Sequence, residues 1–123
     1  MTIRAIPGEF TVCQVCDVKQ IDLTRPFTFA ARTDEELSLV CLSDNVPVGV
    51  CGREDGWRAF RIEGVLDFSL VGILARIAGL LAAEGIPIFA ISTFNTDYVL
   101  VKAEAFDRAL QALEHQGYEI LQG

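Results

Sequence analysis

The run SLVGILARIAGLLAAEG (69–85) constrains the fold more than any other stretch, because it is apolar around most of a helical circumference. Leu70, Ile73, Leu74, Ile77 and Leu81 share one face at the i, i+3, i+4, i+7 spacing. Val71, Ala75, Ala78 and Ala82 occupy the opposite side, where Arg76 and Glu84 are the only charges. A helix of this kind cannot lie on a solvent-facing surface. It has to pack on a sheet with one face and on another element with a second. Asp67 and Ser69 offer N-caps for it, and Gly85 a stop. Its apolar part falls short of the ~20 residues that a membrane span needs.

The flanking segments supply the sheet. WRAFRIEGVL (57–66) has the aromatic and β-branched content of a strand, and IPIFAIST (86–93) reads as a strand buried on both faces. DYVLVK (97–102) follows after a short polar interruption and makes a hairpin with it. EAFDRALQALEHQ (104–116) is an amphipathic helix with Phe106, Leu110 and Leu113 inward; Gly117 closes it, and YEIL (118–121) is a last short strand. The order βαββαβ is the split arrangement of a ferredoxin-like sandwich, an α+β fold with an antiparallel sheet and both helices on one face.

The first half carries a related pattern. FAARTDEELSLV (29–40) aligns with FAISTFNTDYVLV (89–101): Phe29 with Phe89, Ala30 with Ala90, Thr33 with Thr93. With one gap, Glu36 meets Asp97, Leu39 meets Leu100 and Val40 meets Val101. This suggests a duplicated strand–turn–strand unit. Strands are expected near 2–6, 9–16, 27–32 and 37–42, while 17–24 and 43–48 allow only about a turn of helix each. The expected organisation is a reduced half over 1–56, joined through GREDG (52–56) to a complete unit over 57–123.

Acids outnumber bases 17 to 10, giving a net charge of −7, and no Lys/Arg cluster interrupts that field. Nucleic acid and anionic membranes are therefore poor partners, whereas a cationic or zwitterionic ligand suits the balance. The start, MTIRAIPGEF, has Pro-Gly where a signal peptide needs an apolar core, so a soluble cytoplasmic protein is expected. Cys13 and Cys16 form a CxxC, but an extended strand points them to opposite faces, and Cys41 and Cys51 are not a second close pair. The four cysteines read as small buried side chains in a reducing compartment, with no metal. No catalytic set is recognisable: His115 lies on the polar side of the last helix, and the glycines at 49, 52 and 56 lack a phosphate-loop context. Neither enzymatic activity nor a cofactor is expected.

A binding site has better support. The helix start DFSLVG (67–72) offers backbone N–H groups to a carboxylate, and Asp97 offers a charge-assisted hydrogen bond to an ammonium. An amino acid carries both charges. From periodicity alone, helix caps and a hairpin turn account for the same residues. The pieces LDFSLVGIL, GLLAAEGI and ISTFNTDYVLV, in this order and spacing, resemble the ACT-domain family of amino-acid-sensing regulatory modules. More narrowly, they resemble the small two-ACT proteins related to aspartate kinase regulatory domains and to the CASTOR arginine sensors of animals. PGEFTVC, DEELSLVC and GWR extend the likeness loosely into the first half.

The resemblance implies tandem ferredoxin-like ACT units, each pairing with another, either the reduced first half or a second chain, with an amino-acid site between paired units. A homodimer that signals through subunit contact to a regulated protein partner is the expectation. Carried onto this chain, the ligand-binding positions are Asp67, Phe68, Ser69, Leu70, Val71 and Gly72, with Thr93, Phe94 and Asp97 opposite. Leu70 stands where an arginine-sensing relative carries an acid, which leaves neutral amino acids open. The competing expectation is an interaction module that dimerises through its apolar helix face without a ligand.

Overall fold

The computed structural model describes residues 1–67 and 71–123. Among the described residues, seven strands and two α-helices run in the order β1 (Thr2–Gln14), β2 (Phe29–Arg32), β3 (Leu37–Leu42), β4 (Gly52–Ile62), α1 (Ile73–Ala83), β5 (Phe89–Ser92), β6 (Asp97–Lys102), α2 (Phe106–His115) and β7 (Glu119–Leu121). Single 3-10 turns occur at Val18–Gln20, Ser43–Asn45 and Ala103–Ala105. The chain divides into two units, Met1–Pro7 with Arg58–Gly123, and Gly8–Trp57. The architecture is α+β, tandem ferredoxin-like units of which the first has its helices reduced to 3-10 turns, as the periodicity predicts.

In the larger unit the strands follow the order β7, β1, β4, β6, β5. Ile3, Phe60, Ile62, Val99 and Val101 from the strands bury against Ile77 and Leu81 of α1 and Phe106, Leu110 and Leu113 of α2. The greasy helix therefore has its two partners, the sheet and α2. Its remaining side is open, and there the small residues Ala75, Gly79, Ala82 and Ala83 meet solvent. The inward face expected of the 104–116 helix is observed, with Ala109 added to it.

Four details depart from the sequence reading. Pro7-Gly8 does not separate two strands; Gly8 takes a left-handed φ of 95° and β1 runs on through it. The first residues of β1 pair in parallel with β7, Thr2 opposite Glu119 and Arg4 opposite Leu121, so they complete the sheet of the larger unit. GREDG is not a linker but the first part of β4. Finally, β5 is not buried on both faces: it is a sheet edge paired with β6, and Ala90 and Ser92 are exposed.

The smaller unit holds β2 and β3 antiparallel to each other and β3 antiparallel to β1. Its core gathers Cys13, Val15, Leu37, Leu39 and Cys41, with Ile21, Val46 and Val50 packed against them. The two hairpins confirm the internal likeness but correct its register. Phe29 faces Val40 and Arg32 faces Leu37, just as Phe89 faces Leu100 and Ser92 faces Asp97. Both turns close with the same bond, from the Thr33 N–H to the Glu36 carbonyl (2.9 Å) and from the Thr93 N–H to the Thr96 carbonyl (2.8 Å). No gap is needed, and the counterpart of Asp97 is Leu37, a core residue, rather than Glu36.

Candidate crevice at the start of the first helix

The larger unit contains a crevice of about 280 Å³, lined by Leu66 and Asp67, by Gly72–Ala75, and by residues 92–97 of the hairpin. The walls are fastened together by backbone. Leu66 donates its N–H to the Asn95 carbonyl at 2.7 Å, and the Thr96 hydroxyl donates to the Ile62 carbonyl at 2.7 Å. Thr96 is buried at 6% exposure, so the second bond is shielded from water. The hairpin turn is thus tied to the end of β4, one chain crossing away from the entry to α1.

Helix α1 begins at Ile73, later than its sequence caps imply. Gly72 is its N-cap, with φ 79° and ψ 0°, and among the described residues no side chain caps the helix. That conformation is left-handed, which glycine reaches without the steric cost that a Cβ brings. Asp67 is therefore not the N-cap. The first i→i−4 bond runs from the Arg76 N–H to the Gly72 carbonyl (2.9 Å), so the amides of Ile73, Leu74 and Ala75 have no intrahelical acceptor. All three residues border the crevice.

On the opposite wall, Asp97 and Ser92 face each other across the β5–β6 register. The Ser92 hydroxyl donates to Asp97 Oδ1 at 2.5 Å. Asp97 is half-buried, Asp67 is exposed, and Phe94 projects with 78% of its surface accessible. Neither Lys, Arg nor His stands among the lining residues. A ligand carboxylate in this space would therefore rely on backbone amides, and a ligand cation on the carboxylates.

Of the nine sequence-predicted residues, Asp67, Gly72, Thr93, Phe94 and Asp97 line this one crevice. Phe68, Ser69 and Leu70 lie outside the described residues. Val71 is 90% exposed and is not part of the lining. Ser92, Leu66 and residues 73–75 are contributed by the fold and were not singled out as site residues beforehand, while Asn95 and Thr96 belong to the polar interruption that the sequence displays between the two strands. Ser92 was findable: a hydroxyl five residues before an acid, at the two ends of one hairpin turn, has to sit opposite it. The remaining cysteines require a correction. Cys13 and Cys41 are buried, but Cys16 and Cys51 are exposed and joined in a disulfide, so the CxxC pair shares no common site.

With the crevice and both units described, the class of the chain follows. A family model of the ACT domain matches residues 52–115, just over half the chain, and the chain belongs to that family. The cytosolic arginine sensor for mTORC1 subunit 1 of Homo sapiens is 43% identical over 61 residues, which cover 49% of this chain but 18% of that protein. The match thus spans less than a fifth of the curated relative. A structure from Agrobacterium tumefaciens superposes with a TM-score of 0.85 at 29% identity, covering 99% of this chain and 92% of that one. The ligand-free regulatory subunit of aspartate kinase from Thermus thermophilus shares the fold, with a TM-score of 0.63 at 12% identity over 94% of this chain and 97% of that one.

Proposed function

We propose that this ACT protein is a non-catalytic regulatory module whose crevice takes a small amino acid or a related zwitterion. The observation that carries the reading is the crevice itself, with the Asp97 carboxylate on one wall and the uncapped start of α1 on the other. An ammonium suits the first and a carboxylate suits the second. Its volume of about 280 Å³ falls just below the roughly 300–1,000 Å³ of drug-sized ligand sites, which fits a small metabolite better than a nucleotide. A relative that senses arginine supports the ligand class, while Leu70 keeps neutral amino acids open.

The reading includes pairing of ACT units in a homodimer, through which occupancy is relayed to a regulated protein. Val71 and Phe94, at 90% and 78% exposure beside the crevice, are apolar surface that a second subunit would cover. The same surface favours the competing reading, a dimerisation module with no ligand. Isothermal titration and thermal shift against each standard amino acid separate the two. A ligand at a hundred times its dissociation constant adds about 2.7 kcal/mol of stability. Silence across the panel at millimolar concentration, with the dimer intact, would leave the dimerisation module as the answer.

A further inference from the structure

We propose that the Cys16–Cys51 disulfide is a reversible redox modification site, opened by a dithiol reductant, and that opening it loosens the segment 46–51 of the smaller unit. Both cysteines are exposed, so the bond is open to attack from solution. It joins residues 35 apart in sequence and clamps the segment that precedes β4 onto the chain leaving β1. Hydrogen bonds hold that segment as well, among them those from the Val46 N–H to the Ser43 carbonyl (3.3 Å) and from the Gln20 side-chain amide to the Gly49 carbonyl (3.5 Å). The Cys51 N–H donates to the Gln14 carbonyl at 2.8 Å, and the Gln20 side-chain amide donates to the Val48 carbonyl at 3.0 Å. Val46 and Val50 rest on the core of the unit while Val48 is 96% exposed.

The other two thiols do not compete. Cys13 and Cys41 are 4% and 1% exposed within the core. Burial raises both thiols above their ordinary range, Cys41 to about 11, so neither supplies thiolate at neutral pH. Exchange therefore needs an external thiol, and a dithiol completes the reduction. One of its thiolates attacks a sulfur of the disulfide, forming a mixed disulfide and releasing the other cysteine as thiolate. The second thiol of the reductant then displaces the remaining cysteine. The reductant leaves as its own disulfide, and the protein gains two electrons and two protons as the Cys16 and Cys51 thiols.

Native-state alkylation of the whole chain with iodoacetamide, read by peptide mapping, tests the assignment. Without reductant no cysteine is expected to react quickly. After dithiothreitol under native conditions Cys16 and Cys51 are labelled, and Cys13 and Cys41 react only in denaturant. Amide hydrogen exchange across 46–51 is expected to accelerate about tenfold on reduction and to recover with oxidised dithiothreitol, while α1 and α2 stay unchanged. A C16S/C51S double variant should mimic the reduced pattern; if it fails to fold, reduced wild-type protein carries the test alone. Labelling of Cys16 and Cys51 after oxidised dithiothreitol treatment would overturn the site. Equal exchange across 46–51 in both redox states would overturn its consequence.

Discussion

Thr96→Val is the sharpest test of how the crevice is held together. The substitution keeps a β-branched side chain, so strand preference and rotamer restriction change little. What it removes is the 2.7 Å bond from the Thr96 hydroxyl to the Ile62 carbonyl, in surroundings where Thr96 is only 6% exposed. A neutral hydrogen bond contributes about 0.5–1.5 kcal/mol net, and a buried acceptor left short of its donor costs about 1–3 kcal/mol. A methyl group against the same carbonyl recovers little of this, so the expected loss is about 1–2 kcal/mol. Thr96→Ser retains the hydroxyl and deletes one methyl, for a loss of about 0.8 kcal/mol by another route.

Urea unfolding measures both variants, with an unchanged m-value expected because the exposed surface is the same. The second readout is local. The Leu66 N–H is held by the Asn95 carbonyl at 2.7 Å, one residue from Thr96. If Thr96 ties the turn to β4, Leu66 exchange should accelerate about 5- to 30-fold in Thr96→Val, the factor that 1–2 kcal/mol corresponds to. Thr28, whose hydroxyl bonds the Arg25 carbonyl at an exposed position, is the control, and Thr28→Val should shift stability by less than about 0.5 kcal/mol. A Thr96→Val protein as stable as wild type, with Leu66 equally protected, would refute the strut.

Asp97→Asn keeps an acceptor for the Ser92 hydroxyl but removes the charge; for any amino acid that binds, affinity should fall by about 1.5–3 kcal/mol, and an unchanged titration would take Asp97 out of the site. Leu81→Ala empties a position at 0% exposure between helix and sheet and should cost about 2–5 kcal/mol in urea unfolding. Glu63 accepts from Arg4 and from Arg61, and chiefly the Arg4 bond holds its carboxyl below the ordinary 4.5. A depressed folded value means the stabilisation is present above 4.5 and lost as pH falls through that lower value. Glu63→Gln should therefore flatten the acid limb of stability against pH, and equal acid sensitivity in both proteins would count against the pairing.

The elements legible in the sequence are those whose signal is local. The 104–116 helix carries its apolar stripe within three turns, and the strand at 97–102 is bounded by its own turn residues, so each is found where periodicity puts it. The misread parts depend on partners distant in the chain. Nothing near Thr2 announces that Glu119 will lie beside it, and nothing near Cys16 announces Cys51. The start of α1 was misplaced because Asp67 and Ser69 have the chemistry of caps, whereas Gly72 has the backbone freedom that the chain uses. For the crevice, the acid and the glycine were visible as motifs. The struts were not: Thr96 and Leu66 act through backbone partners whose proximity exists only after folding.

The internal repeat shows why a crevice of this build belongs to one unit. The two hairpins have turns of equal length and the same threonine-closed geometry. At the position of Asp97, however, the smaller unit has Leu37, buried at 4% exposure, and at the position of Thr96 it has the exposed Glu36. Where β4 is followed by the eleven-residue α1, β1 is followed by the three-residue turn Val18–Gln20, and Asp17 caps it by accepting from the Lys19 N–H. A turn that short has no stack of aligned peptide dipoles, and its cap already occupies the amide that an anion would need. The acid of the hairpin and the eleven-residue helix that border this crevice are thus replaced, at the matching positions of the smaller unit, by a core leucine and a self-capped turn.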